Sequence, residues 1–262
     1  HASAYKHVHL VEDNPLEGLS NNINSSNIIC RCAYESNIKK TILISSDKAV
    51  RPTNIMGVSK RISELIFQSY DKKDKENKSL KNRTIFTIVR FGNVLDSSGS
   101  VVPKFREQIA NGGPLTLTNK RVIRYFMTLE EAAQLVIQSS SLAKGGETFL
   151  LDMGKPVKIY DLAKQMILLS GNNVKDPKNK YSGGIEILVT GLKKGEKLYE
   201  ELIINSKSEK TIHPLIFYVK EKFMIFEDLQ QNLLQLNSEI NKFEKEAVFK
   251  ILKKLVPEWE KR

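Results

Sequence analysis

The sequence predicts an α/β fold: a doubly wound, parallel Rossmann-like sheet with a smaller C-terminal α/β lobe. Three observations carry this. Short apolar runs at 41–44, 84–90 and 148–151 alternate with stretches of helical periodicity, the pattern of strands joined by crossover helices. The run at 41–44 is apolar and partly β-branched, as suits a strand covered on both faces. Ser46, Asp47 and Lys48 then follow at once, at the carboxyl edge where open α/β sheets bind ligands.

Taken in order, Pro15 opens a helix with Leu16, Leu19, Ile23, Cys30 and Ala33 on its inner face. Thr41 starts the central strand. The next helix is expected over 57–70, because Val58, Ile62, Leu65 and Ile66 recur at i, i+4, i+7 and i+8. Lys60 lies roughly opposite that stripe, and Met56 falls on Lys60's side of the helix. Residues 71–83 (DKKDKENKSLKNR) read as a charged surface loop. Thr84 to Arg90 is a second buried strand, left by Asn93 and a flexible turn at 97–100. Val102, Phe105 and Ile109 mark a helix ending at Gly112 and Gly113. A short strand at 115–117, an irregular stretch at 121–127 and a helix at 130–142 lead to the strand at 148–151. A helix at 159–169 and a strand at 185–189 follow. A last strand at 223–226 is expected before two amphipathic helices, the final one with Ile240, Phe243, Ala247 and Ile251 inside. The expected division is 1–150 and 151–262, with substrate-binding segments interleaved from about residue 93.

Composition narrows the function. The chain has 262 residues, 40% of them hydrophobic, enough for a real core and unlike a disordered chain. It has no apolar run of roughly 18 residues, so no membrane span is expected in this segment. It begins with His1 and carries no signal peptide, so a fragment is expected. The net charge of +11 favours anionic partners. The lysines are scattered, without the aromatic-interleaved stripe of a nucleic-acid binder, so nucleic acid is not expected. Cys30 and Cys32 lack partners at metal-ligand spacing, so no metal is expected. The G-x-G-x-x-G turn of a dinucleotide fold occurs nowhere in the 262 residues.

Longer blocks are more specific: HASAYKHVHLVEDNP at 1–15, ISSDKAVRPTNIMGVSKR at 44–61 and VRFGNVLDSSGSVVPKFREQI at 89–109. IRYFMTLEEAAQLV at 123–136, ETFLLDMGKPVKIYDLAKQM at 147–166 and TGLKKGEKLYEELI at 190–203 continue the series. Together they resemble the extended short-chain dehydrogenase/reductase superfamily, and within it the capsular-polysaccharide nucleotide-sugar 4,6-dehydratases. Residues 222–262 match nothing nameable. The resemblance implies that the first βαβ units precede His1, and that His1, Ala2 and Ser3 touch the cofactor, an NAD(P) and most readily NAD. The superfamily's Tyr-x-x-x-Lys has its lysine in Lys60, but Met56 stands at the tyrosine position, and a thioether relays no proton. Tyr160/Lys164 and Tyr218/Lys222 repeat the spacing outside the strand–helix context the motif needs.

A 4,6-dehydratase oxidises C4 of a hexose, eliminates water across C5–C6 and reduces C6. That needs a base for the C4 hydroxyl, a base for the C5 proton and an acid for the C6 hydroxyl. By resemblance, Asp47 is the acid at C6, Lys48 the base at C5, and Ser46 the hydrogen-bond partner of the C4 oxygen. Lys60 would bind the nicotinamide ribose. Asn93, Val102, Pro103, Arg106 and Arg124 would meet the sugar diphosphate, and Glu196 the uridine. A UDP-N-acetylglucosamine-type substrate, a homo-oligomer, and a location in the cytoplasm or at the cytoplasmic face of a membrane are expected. Two alternatives stand beside this reading. One is a UDP-sugar 4-epimerase of the same fold, against which Met56 and Asp47-Lys48 speak; the other is a non-catalytic nucleotide-sugar-binding domain.

Overall fold

The computed structural model describes residues 1–79, 82–175, 183–201, 208–221 and 223–260. In chain order the elements are α1 (Val8–Asp13), α2 (Pro15–Glu35), β1 (Lys40–Ser46), α3 (Ile55–Asn77), β2 (Ile85–Phe91), β3 (Asn93–Val94) and α4 (Val101–Ala110). Then come β4 (Leu115–Leu117), β5 (Ile123–Arg124), β6 (Phe126–Met127), α5 (Leu129–Leu142), β7 (Thr148–Leu151), β8 (Val157–Lys158) and α6 (Ile159–Leu169). The chain ends through β9 (Ile187–Val189), β10 (Glu209–Lys210), β11 (Ile216–Val219), α7 (Phe226–Asn241) and α8 (Lys245–Leu255).

The main sheet has the order β1-β2-β7-β11-β10. β1, β2 and β7 are parallel, with Leu43 opposite Ile88 and Ser45 opposite Arg90. The sheet is therefore parallel where expected, but it is completed by antiparallel β11 and β10. Leu43, Phe86 and Ile88 share one core with α1, α2, α3, α7 and α8. Small polar residues let α2 lie close to α3. Asn22 donates to Ser59 Oγ at 2.9 Å, and Ser26 Oγ to Ser63 Oγ at 2.9 Å, so the buried hydroxyls are satisfied.

The chain divides into two interleaved compact units rather than at residue 150. The first comprises His1–Phe91, Gln134–Asp152 and Glu201–Arg262; the second comprises Gly92–Ala133 and Met153–Glu200. The second unit has its own core of Phe105, Leu115, Leu117, Val122, Ile159, Ala163, Ile167 and Ile185, and small sheets β3-β6, β4-β9 and β5-β8.

Several local expectations are corrected. Residues 71–77 are not loop but the last turns of α3. Asp71 and Asp74 point inward, where Lys75 and Arg83 meet the first and Lys78 the second. Residues 80 and 81 of that stretch lie outside the described residues. The last strand is β11, not 223–226; Phe226 instead opens α7 and packs edge-on against Tyr70 at 4.9 Å. The final amphipathic stripe divides between α7 and α8 at Phe243, which is exposed and has a φ of 60°. Residues 121–127 form β5 and β6, and Ile185 makes an isolated bridge to Val174 before β9. Helix α1, whose polar residues hid its periodicity, was not foreseen.

Candidate active site

The first unit gathers His1, Ser46, Asp47, Lys48, Met56 and Lys60 around the carboxyl end of β1. Ser46 ends the strand, and its Oγ accepts the Lys48 backbone N–H at 3.2 Å, capping a single 3-10 turn at Asp47–Ala49. Asp47 is 1% exposed. Its Oδ1 accepts the Ser46 hydroxyl at 2.8 Å and the Lys48 ammonium at 2.9 Å. Its Oδ2 is buried with no partner among the described residues, an acceptor left open at the point where strand ends face ligand.

Helix α3 starts immediately beyond. Asn54 Oδ1 accepts the Gly57 N–H at 2.8 Å, and Glu12 Oε1 accepts the Ile55 N–H at 2.5 Å, which satisfies free donors of the first turn. One turn on, Lys60 donates from Nζ to the Ile44 carbonyl at 3.0 Å. Burial pushes its ammonium down to about 8, against an upward pull from Glu64. Desolvation disfavours the charged form of a lysine, which brings it towards the range where it can exchange protons. Met56 is 3% exposed and belongs to the apolar core of α1, α2 and α3. His1 runs beside β1: its nitrogen donates to Ile42 O at 2.8 Å and its carbonyl accepts from Ile44 N at 3.0 Å. Its ring nitrogen Nε2 lies 3.2 Å from Ser26 Oγ. Ala2 and Ser3 follow as exposed, irregular chain.

The second unit brings Arg124 and Glu196 together. Arg124 donates from Nη1 to the carbonyls of Ile123 and Leu198 at 2.8 and 3.2 Å. Its Nη2 donates to Lys197 O at 2.8 Å and approaches Glu196 Oε1 at 3.5 Å. Glu196 also accepts the Thr118 hydroxyl at 2.9 Å and the Lys193 N–H at 3.2 Å. The planar fork thus ties the 193–198 loop to β5. Arg106 sits on the exposed side of α4 in an ion pair with Asp96 at 3.0 Å; Val102 and Pro103 occupy the first turn of α4. Asn93 lies in β3, in register with Phe126 of β6. Lys164 stacks over its own Tyr160 ring at 4.4 Å, a local contact. Lys222, the other repeat of the spacing, lies outside the described residues. Both cysteines are free thiols, and no group of metal-binding side chains occurs among the described residues.

Sequence reasoning missed Glu64, Arg61, Arg90, Glu221 and Glu258, which form a charge cluster behind Ser45. Arg90 and Glu64 are 0% exposed. Although burial alone would raise Glu64, the charge and hydrogen bonds of Arg90 hold its carboxyl below the usual range. An arginine inside the otherwise apolar run 84–90 was the one available signal.

A parallel-dominated α/β sheet with helices packed against it defines a Rossmann-like protein. The profile of the polysaccharide biosynthesis protein family matches residues 1–251, and the chain belongs to that family. The match extends through α7 into α8, where the sequence blocks gave none. Among curated relatives, the chain is 45% identical over 96% of its length to the capsular polysaccharide biosynthesis protein CapD of Staphylococcus aureus, spanning 39% of that protein. It is 32% identical over 80% of its length to a UDP-N-acetylglucosamine 4,6-dehydratase (inverting) of Campylobacter jejuni, spanning 57% of it. The chain therefore covers well under two thirds of these proteins. Among solved structures, Pen from Bacillus thuringiensis superposes with a TM-score of 0.73 at 32% identity, covering 91% of this chain and 74% of that one. DesIV, a dTDP-glucose 4,6-dehydratase from Streptomyces venezuelae solved with NAD, shares the fold with a TM-score of 0.63 at 16% identity, covering 77% and 62%. Among the described residues no helix is long and apolar enough to cross a membrane.

Proposed function

We propose that this chain carries the acid/base centre of a nucleotide-sugar 4,6-dehydratase of the UDP-N-acetylglucosamine type, acting in polysaccharide biosynthesis. The observation that carries the reading is the Ser46–Asp47–Lys48 turn, with a buried carboxylate oxygen left open beside an ammonium. In the reacting state the proton shared between Lys48 and Asp47 resides on Asp47, which delivers it to the departing C6 hydroxyl. The neutral Lys48 amine removes the C5 proton, acidic once C4 is a ketone, and the carboxylate–ammonium pair is thereby restored. Ser46 orients the C4 oxygen. An epimerase needs none of the C5–C6 chemistry, and the pair of buried Asp47 with Lys48 would then have no task.

The residues fit NAD at its nicotinamide end. Lys60 keeps N–H donors beyond its bond to Ile44 O, and the His1 backbone lies beside β1, with Ala2 and Ser3 following it. These groups would hold the ribose; the pyrophosphate is assigned no residue of this chain. When bound, NAD supplies a hydride acceptor for C4 and a donor for C6. Lys60, an ammonium below about pH 8, favours loss of the C4 hydroxyl proton. In the second unit, Asn93, Val102, Pro103 and Arg106 would contact the UDP diphosphate. Arg124 would meet the same diphosphate, and Glu196 would face the uridine. We assign the reaction to the cytoplasm or to the cytoplasmic face of a membrane, carried out by a homo-oligomer.

The test is incubation of the full-length protein with UDP-N-acetylglucosamine and NAD, followed by NMR of the product. The reading expects a 4-keto-6-deoxy sugar. A product changed only at C4 would replace it with the epimerase reading.

A further inference from the structure

Behind the strand end lies a cluster of charges that the proposed chemistry does not use. Ser45 and Arg90 are register partners on β1 and β2, on the face that Leu43 and Ile88 present to α3. Arg90 donates from Nε and Nη2 to the two oxygens of Glu64, each at 2.6 Å. Its Nη1 and Nη2 donate to Glu221 at 2.8 and 2.7 Å. Arg61 donates from Nη1 to Glu64 and Glu221, both at 3.0 Å, and from Nε to Glu258 at 3.1 Å. Ser45 Oγ donates to Glu64 at 2.7 Å. Lys60 sits one turn before Glu64, so α3 grips consecutive β1 residues, Ile44 through Lys60 and Ser45 through Glu64. Three cations here, Lys60, Arg61 and Arg90, meet three carboxylates, Glu64, Glu221 and Glu258.

A buried ionic cluster is poor value as a stabiliser, because desolvation offsets most of its attraction. We propose that Glu64 is a positioning residue of the proposed site: it fixes Ser45 and the turn that follows, and it places a carboxylate one helical turn from Lys60. Glu221 and Glu258, from the C-terminal segment, neutralise the two arginines so that Glu64's charge remains effective at Lys60. The kinetic consequences rest on the dehydratase reading; the electrostatic claim does not. The other groups facing Lys60 are named as follows. Arg61 comes from α3, and the Ile44 carbonyl from β1. From α2, Cys30 is a thiol that burial pushes up. Asp47 and Lys48, in the turn packed against α3, are paired with each other at 2.9 Å, and Glu64 is the carboxylate that pulls Lys60 upward.

The test is NMR titration of the Lys60 side chain in lysine-labelled 262-residue protein, the signal assigned with Lys60→Arg. Glu64→Gln should lower the Lys60 midpoint by roughly one pH unit or more, the effect of losing a close opposite charge. Glu64→Asp, which keeps the charge, should restore most of it. Glu258→Gln leaves Arg61 with Glu64 and Glu221, so it keeps the fold and should move the midpoint down by less. In the full-length enzyme, the alkaline limb of kcat should shift down in step with the NMR midpoint. An unmoved midpoint in folded Glu64→Gln overturns the proposal. Should that variant not fold, an unmoved midpoint in Glu258→Gln overturns it. A wild type that does not turn over UDP-N-acetylglucosamine refutes the dehydratase reading instead, and the NMR result stands on its own.

Discussion

At Met56 the position a related dehydrogenase would give to a proton-relaying tyrosine holds a thioether, 3% exposed among the residues of α1, α2 and α3. It is a packing residue, so Met56→Ala should cost about 2–5 kcal/mol in a denaturation experiment, whereas Met56→Leu should cost less than about 1.5 kcal/mol. Folded Met56→Leu enzyme should keep its kcat; a large loss would return Met56 to the chemistry. Lys60 makes a pH prediction of definite sign. Its folded value of about 8 lies below the roughly 10.4 of an unfolded chain. Between the two the unfolded state binds more protons, so this group's contribution to stability rises with pH across that window. Denaturation midpoints of wild type should therefore gain on those of Lys60→Met from about pH 8 upward. A constant difference between the two would contradict the assignment. The Ser46–Asp47–Lys48 turn was legible as a motif, because strand ends and resemblance both pointed to it. The unpartnered Asp47 oxygen was not, since only the fold decides which lone pairs are buried.

Helix α3 shows where periodicity reads well and where it fails. The apolar stripe of Val58, Ile62, Leu65 and Ile66 located the helix, and all four are buried. The stripe said nothing of the opposite face, which is buried as well, and charged residues were taken as surface. Asp71, Asp74 and Glu64 are inside because their partners arrive from Arg83, Lys78 and Arg90, and tertiary pairing of this kind leaves no periodic trace. Gly57 carries the same lesson. A Cβ there would stand 2.2 Å from the Lys48 carbonyl and 3.0 Å from Pro52 Cβ, so a glycine allows α3 to reach the Ser46–Asp47–Lys48 turn. Gly57→Ala should cost about 1–3 kcal/mol as an overpacked site, and should lower kcat by displacing Lys48. Thermal denaturation together with steady-state kinetics checks both; a variant with wild-type stability and rate would show that the turn tolerates the methyl group.

Across the whole molecule, α2, β1, α3, β2, α4, β4, α5 and β7 and the parallel pairing of β1 with β2 were readable from the alternation of strand and helix signals. The division into units was not, because the chain returns to the first unit twice, and contacts between distant segments have no local signature. The C-terminal helices belong to the first unit's core: Leu229, Leu233, Leu236, Val248, Leu252 and Leu255 pack with Ile62, Ile66 and Phe67. Each such side chain contributes about 1.5–3 kcal/mol by burial, and together they are as large as the roughly 5–15 kcal/mol that holds a domain folded. A chain ending at Glu221 should lack a cooperative unfolding transition, and a sharp transition at the wild-type midpoint would contradict this packing account. The central claim is that the end of β1 performs the proton transfers of dehydration. Its most direct test is a single-turnover reaction of full-length Asp47→Asn with UDP-N-acetylglucosamine and NAD, following nicotinamide absorbance and the C6 oxygen together. The account predicts that reduced nicotinamide accumulates while the C6 hydroxyl is retained, with overall turnover down by roughly 10²–10⁴. Near-normal release of a 4-keto-6-deoxy product by Asp47→Asn would contradict it.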